Sequence, residues 1–141
     1  MVSQHKSAKI TYQENLQVIQ AFFESHDPVS FFAEDAEFYD MSQPEPLRGR
    51  EAIGAMMHMM YQEAFSDARP ESQGLMAGEN AVVAEFIFHG KNTGSLMGAP
   101  PTSKTVAVPM IAVYEVEGSK IQRARLYYDS ATMGRQLGLI E

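Results

Sequence analysis

Apolar residues recur at helical spacing in two segments of the chain, and capping residues mark a short helix between them. In residues 12–25 they lie three or four positions apart and predict an amphipathic helix with Leu16, Ile19, Phe22 and Phe23 on its apolar face. A shorter helix is predicted from Pro28 to about Phe32, because Asp27 is a favourable N-cap and proline fits the first helical position. A third helix is predicted over residues 50–65, with an inward stripe formed by Ile53, Met56, Met57, Met60 and Ala64.

Strand patterns dominate the second half of the chain. Stretches rich in Val, Ile, Phe and Tyr predict four strands at residues 70–77, 81–89, 104–117 and 120–128. A short strand is also predicted from Ala36 to Asp40, before a proline-bearing loop at residues 42–46. A closing helix is predicted from Ser130 to Leu137, where Gly138 ends it.

This order of elements indicates an α+β fold in one domain, residues 1–141, in which residues 1–10 are expected to form a flexible tail. The helices must cover one face of a mainly antiparallel sheet. If that sheet is strongly curved, an apolar cavity remains between the two layers, and such a cavity is the usual ligand site of a small domain.

Composition narrows the range of partners. The 141 residues are 45% hydrophobic and carry a formal net charge of −7, whereas nucleic acids and anionic membranes bind basic surfaces. Cysteine is absent, which excludes disulfides, thiolate zinc sites and cysteine nucleophiles. No segment resembles a signal peptide or has the roughly 20 apolar residues of a membrane span. We therefore expect a cytoplasmic protein that binds neither nucleic acid nor membrane.

Several motifs in the second half resemble those of the SnoaL-like polyketide cyclases. They are Gly90-Lys91-Asn92-Thr93-Gly94, Met97-Gly98-Ala99-Pro100-Pro101-Thr102, Gly118 to Ile121, and Asp129 with Gln136-Leu137-Gly138. Across nearly the whole chain the order of elements resembles the nuclear transport factor 2-like superfamily, which contains those cyclases. The resemblance implies a cone-shaped fold with three N-terminal helices on a strongly curved sheet, and a homodimer formed through the outer sheet face.

The acid–base pair of the cyclases is missing from this chain. Aligned through the same motifs, the positions of their catalytic aspartate and histidine hold Leu126 and Ile111. Neither side chain can move a proton. The standard cyclase mechanism therefore does not carry over.

A second resemblance concerns the segment from Asp40 to Gly49, which is similar to the ketosteroid isomerases. In those enzymes the aspartate at the place of Asp40 is the general base. Their oxyanion-hole residues would fall near Ile19 and at Ile111, and both are missing. One such donor contributes roughly 2.7–4 kcal/mol to transition-state stabilisation, so a true ketosteroid isomerase is not expected.

Asp40 is the leading candidate for a catalytic base. It ends a predicted strand after Phe38 and Tyr39, where the chain would pass the mouth of the cavity. Apolar surroundings make a carboxylate a stronger base. The alternative is an ordinary turn aspartate that accepts hydrogen bonds from the amides of Met41 and Ser42.

Three other residues are candidates for the acid or orienting partner. Tyr128 alternates onto the predicted cavity face, where its hydroxyl would donate to a developing oxyanion. Asp129 precedes the closing helix and would serve, alternatively, as its N-cap. His58 reaches the cavity only if its helix is rotated from the stripe predicted above. Weaker candidates of the same kind as Tyr128 are Tyr39 and Tyr114.

The predicted cavity wall is apolar and consists of Phe22, Phe31, Met56, Met57, Met60, Phe86, Phe88, Ile111, Val113, Leu126 and Tyr128. It favours a hydrophobic ligand. Our first hypothesis is an enzyme of secondary metabolism, free of metal and cofactor, that cyclises, isomerises or dehydrates a polyketide- or terpenoid-like ketone with Asp40 as base. The alternative is a binding or accessory protein that holds its ligand unchanged. No His, Asp or Glu spacing is typical of a metal site.

Overall fold

A computed structural model describes the backbone of residues 4–141 and the side chains of residues 11–141. Its helices are α1 (Gln4–Glu24), α2 (Arg50–His58) and α3 (Ser130–Leu137), with a 3₁₀ turn at Pro28–Phe31 and a π-helical segment at Met59–Ala64 that continues α2. Its strands are β1 (Phe32–Asp40), β2 (Leu47–Arg48), β3 (Phe65–Ala77), β4 (Ala81–Asn92), β5 (Thr105–Glu117) and β6 (Lys120–Tyr128). None of the described helices is both long and apolar enough to cross a membrane.

The six strands form one sheet in the order β2-β1-β6-β5-β4-β3. All neighbours are antiparallel except β1 and β6, which are parallel. Register shifts interrupt the β3–β4 pairing between Ser66 and Arg69 and between Ser72 and Gly74. Such irregularities bend strands and increase their twist, which curves the sheet around the helices. The predicted α+β class is confirmed, with α3 placed after the last strand.

The apolar core lies on the helix-covered face of the sheet. Alternate residues of β4 and β5 are buried there, which is the period expected of strands with one covered face. From the helices, Ile19 of α1 and Ile53 of α2 are fully buried in the same core. We call this the inner face of the sheet and the opposite one the outer face.

The bounds of several elements differ from those predicted. Pairing with strands that are distant in sequence determines where β1 and β3 begin. β1 begins at Phe32 rather than Ala36, since Phe32 pairs with Ile121 of β6. β3 begins at Phe65, opposite Asn92 of β4. The two-residue strand β2 was not predicted. Helix α1 begins at Gln4, before the predicted start, and residues 1–3 of the expected tail lie outside the described residues.

Candidate functional site

A cavity of about 1040 Å³ lies between the helices and the inner face of the sheet. Its helical wall includes Phe22, Phe23, Met56, Met57, Met59, Met60, Tyr61, Met133 and Leu137. Its sheet wall includes Phe32, Phe38, Asp40, Ala68, Phe86, Phe88, Met110, Tyr114, Leu126 and Tyr128. Exposed residues 42–45 and Met97 also border the cavity and mark where it opens to solvent. Methionine and aromatic rings make this a deformable apolar site.

Three predicted wall residues lie elsewhere, and these assignments were wrong. Ile111 and Val113 point to the outer face, because it is Met110, Ala112 and Tyr114 of β5 that are buried on the inner one. Phe31 packs behind the wall, with its ring centroid 5.8 Å from that of Phe22.

The remaining predicted wall residues do line the cavity: Phe22, Met56, Met57, Met60, Phe86, Phe88, Leu126 and Tyr128. Met110 and Ala112, the inner-face neighbours of Ile111, are apolar as well. This part of β5 therefore presents no titratable group to the cavity.

Asp40, Ser42 and Tyr128 form a hydrogen-bonded group at the cavity wall, which we call the Asp40 network. The amide and the hydroxyl of Ser42 both donate to Asp40 Oδ1, over 2.9 and 2.6 Å. The Tyr128 hydroxyl donates to Asp40 Oδ2 over 3.2 Å and lies 3.1 Å from Ser42 Oγ. Asp40 is thus both the turn aspartate that the sequence allowed and a cavity residue in contact with a second candidate.

The sheet brings these distant residues together. Asp40 pairs with Leu126 in the parallel β1–β6 register, and Tyr128 follows Leu126 by two positions on the same face of β6. Both side chains therefore lean into the cavity from adjacent strands. Burial raises the pKa of Tyr128, and the neighbouring Asp40 carboxylate adds to that increase, although the Ser42 hydrogen bond opposes it. The hydroxyl consequently remains a proton donor across the physiological range.

Two predicted candidates stay outside the cavity. Asp129 is the N-cap of α3 and accepts hydrogen bonds from the Ala131 amide and the Thr132 hydroxyl, each over 3.0 Å. These bonds lower the pKa of Asp129, with the Thr132 hydroxyl contributing most. His58 ends α2 as an exposed side chain and does not line the cavity. Neither residue is brought to Asp40.

Two further tyrosines line the cavity away from Asp40. Tyr114 is 5% exposed on β5 and was a minor candidate; Tyr61 belongs to the π-helical segment and was missed. Burial raises the pKa of Tyr61 to about 12. It also raises the pKa of Tyr114, with a smaller contribution from Tyr61 nearby. Tyr39, the other minor candidate, does not line the cavity and instead stacks under Arg123.

The connection between β4 and β5 borders the cavity with Leu96 and, at the opening, Met97. Asn92, which is 2% exposed, holds this connection in place. Its amide donates to the carbonyls of Ala64 and Gly94, each over 3.0 Å, and its Oδ1 accepts from the Thr102 amide over 2.8 Å. The motifs in this connection that resemble those of the cyclases, residues 90–94 and 97–102, therefore contribute to the cavity wall. Within the described residues, no three His, Asp or Glu side chains are grouped so as to hold a metal ion.

Comparisons with known proteins agree with this architecture. The family model of the SnoaL-like polyketide cyclases matches residues 13–137. No curated protein matches the chain. A structure from Jannaschia sp. CCS1, described as a SnoaL-like polyketide cyclase, superposes with a TM-score of 0.82 at 14% identity, covering 92% of this chain and 95% of that one.

Two other solved structures have the same fold. TsrD from Streptomyces laurentii has a TM-score of 0.77 at 18% identity, with 91% of this chain and 97% of that chain covered. An LEH-like epoxide hydrolase of M. tuberculosis has a TM-score of 0.71 at 16% identity, with 90% and 91% covered. At these identities the likeness concerns the fold, which supports different chemistries in different proteins.

Proposed function

The chain belongs to the SnoaL-like polyketide cyclase family, and we propose that it is an acid–base enzyme that transfers protons on a neutral hydrophobic ketone bound in the cavity. One observation carries the proposal: the Asp40 carboxylate and the Tyr128 hydroxyl meet, 3.2 Å apart, on the wall of a cavity whose lining is rich in methionine and aromatic side chains. A base and a proton donor that converge on one apolar site are the minimum for enolisation.

The first step is removal of a proton from the carbon beside the ketone. Asp40 Oδ2 takes the proton, the electrons of the C–H bond form the carbon–carbon double bond of an enolate, and the carbonyl electron pair moves to oxygen. Oδ1 already accepts two hydrogen bonds from Ser42, whereas Oδ2 accepts only that of Tyr128. Oδ2 is therefore the oxygen with room for the new proton.

Tyr128 would stabilise the enolate. Once Asp40 has been protonated it no longer needs the hydrogen bond from Tyr128, and the hydroxyl is free to donate to the enolate oxygen. Such a donor, placed where charge develops, lowers the barrier because it costs no reorganisation of bulk water. The raised pKa of Tyr128 keeps the proton on the phenol, so the residue acts as a hydrogen-bond donor.

The second step decides the reaction type. Return of the proton from Asp40 to a different carbon completes an isomerisation. Attack of the enolate carbon on a second carbonyl of the same substrate, with the proton passing to the new alkoxide, completes a cyclisation. Both reactions move only protons and electron pairs within the substrate, so the proposal invokes no cofactor.

The proposal is tested by deuterium exchange at the α-carbons of 2-tetralone in D₂O, followed by proton NMR. Exchange catalysed by the wild-type protein should fall by a factor of about 10² or more in Asp40→Asn, the usual contribution of a general base. Asp129→Asn is the matched control, since it changes an exposed carboxylate outside the cavity. Equal exchange by wild type and Asp40→Asn would contradict the proposal.

The alternative is a binding protein that holds its ligand unchanged. The observation that favours it is that Asp40 is engaged within the protein, where its two oxygens accept three hydrogen bonds from Ser42 and Tyr128. Under this alternative 2-tetralone binds to wild type and Asp40→Asn alike, and neither catalyses exchange. The same experiment therefore separates the two functions.

We also propose a homodimer through the outer face of the sheet. Ile111 and Tyr127, directly paired on β5 and β6, are 43% and 42% exposed there. Pro109 of β5 is exposed as well. An apolar patch of this kind is typical of an interaction surface, and a second copy presents the same patch about a twofold axis.

A further inference from the structure

Two tyrosine hydroxyls in the cavity have no hydrogen-bond partner among the residues that the structure describes. Tyr61 and Tyr114 both line the cavity, and within the described residues neither hydroxyl makes a hydrogen bond. Buried phenols usually have a partner, because a hydroxyl removed from water without one costs free energy. A group of this kind inside a ligand-sized cavity points to a partner that the ligand provides.

Both hydroxyls reach the open volume of the cavity. Among the described residues, the Asn15 amide nitrogen is the only fully enclosed side-chain polar atom without a hydrogen bond. The phenol oxygens of Tyr61 and Tyr114 also lack a hydrogen bond, so they are not fully enclosed by protein. Tyr114 as a whole is only 5% exposed, and the contact with open space therefore lies on the cavity side.

The rings of both tyrosines are fixed by aromatic neighbours. Tyr114 packs edge to face against Phe22, with ring centroids 5.4 Å apart, and Tyr61 packs likewise against Phe88 at 5.6 Å. These contacts hold the rings while leaving the hydroxyls unpaired. Tyr61 also contributes to the raised pKa of Tyr114, as expected of two phenols that share one apolar space.

Tyr114 is separate from the Asp40 network. Asp40 pairs with Leu126, and Leu126 pairs with Ala112, two residues before Tyr114 on β5. With strands about 4.8 Å apart and about 3.4 Å per residue, the Cα atoms of Asp40 and Tyr114 lie roughly 12 Å apart. A ligand that contacts both residues must span this part of the sheet, as a fused ring system with an oxygen at each end does.

We infer that the unpaired hydroxyls of Tyr61 and Tyr114, which we call the phenol subsite, donate hydrogen bonds to neutral acceptor oxygens (carbonyl or ether) on parts of the ligand that do not contact Asp40. The inference rests on the proposed function only in naming the Asp40 end as the reacting one. It narrows the substrate class to neutral, polycyclic compounds that carry at least two oxygens.

The charges around the cavity agree with a neutral ligand. The acidic lining residues are Glu24, Asp40 and Glu45, whereas the single arginine, Arg69, is paired with Asp67 over 3.1 Å. An anionic ligand would therefore meet net repulsion. Because both phenols keep their protons well above neutral pH, the subsite offers donors and selects for acceptors.

The test compares the binding of 9-fluorenone and of fluorene, two tricyclic compounds of similar shape of which only the first has a carbonyl. Fluorenone has no α-hydrogen, so its binding is independent of proton transfer. We expect wild type to bind fluorenone about three- to tenfold more tightly than fluorene, the range for one neutral hydrogen bond. The double variant Tyr61→Phe/Tyr114→Phe should lose this preference and bind fluorene as wild type does. The unchanged affinity for fluorene also shows that the variant cavity is intact.

Infrared spectroscopy locates the carbonyl. Its stretching band in bound fluorenone should shift to lower frequency in wild type and in Tyr128→Phe, and should return to higher frequency in the double variant. Three results would overturn the inference: no preference for fluorenone, a shift lost in Tyr128→Phe but kept in the double variant, or failure of both tricyclic compounds to bind.

The two proposals fail independently. If the fluorenone preference depends on Tyr61 and Tyr114 but Asp40→Asn leaves tetralone exchange unchanged, the subsite stands and the enzymatic proposal falls. If exchange depends on Asp40 and the fluorenone preference is absent, the enzyme stands and the subsite falls.

Discussion

The Tyr128 hydroxyl donates a hydrogen bond to Asp40 Oδ2 over 3.2 Å, although the two residues are 88 positions apart in the chain. The parallel pairing of β1 with β6 creates this contact, and the same register places the apolar Leu126 directly opposite Asp40. On the adjacent strand β6, Asp40 therefore contacts one polar residue, Tyr128, and faces one apolar residue, Leu126. Proton transfer in this chain would depend on Asp40 and Tyr128. It would not depend on Leu126 and Ile111, which stand at the aligned positions of the cyclase acid–base pair.

Tyr128→Phe should lower the rate of tetralone exchange about 100-fold, the usual loss for one oxyanion donor. The substitution keeps the ring in the wall and leaves both Ser42 hydrogen bonds to Asp40 in place. The loss should therefore appear in kcat, with KM changed less than about threefold. Tyr127→Phe is the matched control, because that neighbouring side chain faces the outer surface. Equal loss in the two variants would remove Tyr128 from the mechanism.

Asp129 should matter for stability and not for activity. Asp129→Ala removes the cap of α3 and should lower the denaturation midpoint, whereas Asp129→Asn retains a capping oxygen and should restore it. The lowered pKa of Asp129 means that its contribution is present above the ordinary aspartate range and is lost as the pH falls through the folded pKa. Denaturant unfolding at neutral and at acid pH, together with tetralone exchange, checks both points. Loss of exchange in Asp129→Asn would contradict them.

The inner face of the sheet could be predicted only where charged residues mark the outer one. In β4, Glu85 and His89 alternate with Phe86 and Phe88, so the cavity side is evident from sequence. β5 is apolar at almost every position from Val106 to Tyr114. The sequence pattern therefore does not show which alternate residues face the cavity. A shift of one residue exchanges the two faces, which is why Ile111 and Val113 were assigned to the wrong one.

Tyr61 was missed for a different reason. The predicted stripe assumes a regular helical period through residues 50–65, but the last part of that segment is π-helical. A π-helix has more residues per turn and rotates the side chains that follow it, and such segments are frequent at functional sites. Single-sequence periodicity does not reveal this change. The Asp40–Tyr128 contact likewise depends on a parallel strand pairing that no local pattern encodes.

Stability should fall at alkaline pH because of Tyr61. Its pKa is raised from 10.0 to about 12 in the folded protein. Between these values the unfolded chain releases the Tyr61 proton while the folded chain keeps it, so the contribution is complete below pH 10 and lost by about pH 12. Two pKa units correspond to about 2–3 kcal/mol of unfolding free energy. Urea unfolding of wild type and Tyr61→Phe from pH 8 to 12 should show a shallower decline in the variant. Parallel declines would contradict the burial of this phenol.

The proposed dimer predicts that Ile111→Glu yields a monomer. Ile111 pairs with Glu85 on β4, so the new carboxylate would stand beside an existing one on both copies. Burying such like charges in an interface is strongly unfavourable. Sedimentation velocity should give one dimeric species for wild type and for Tyr12→Glu, whose site is on α1 away from the outer face. A monomeric wild type, or a dimeric Ile111→Glu, would refute this interface.

The cavity wall formed by the β4–β5 connection should depend on Gly94. A Cβ atom at this position would overlap the carbonyl oxygen of Glu63, a backbone atom that cannot move aside without a large cost. Gly94→Ala should therefore push the connection away from the π-helical segment and disturb the Asn92 bonds to Ala64 and Gly94. We expect a loss of about 3 kcal/mol in unfolding free energy, at the upper end of the range for an overpacked site.

Gly74→Ala provides the control for that substitution, because a Cβ atom there meets no atom within 4 Å and the backbone has no positive φ. Its unfolding free energy should stay within about 0.5 kcal/mol of wild type. Urea midpoints measure both variants, and fluorene affinity reports on the cavity itself. Gly94→Ala should bind fluorene more weakly, since Leu96 and Met97 move with the connection. Equal midpoints for the two variants would mean that the close approach of Gly94 to Glu63 does not hold this wall.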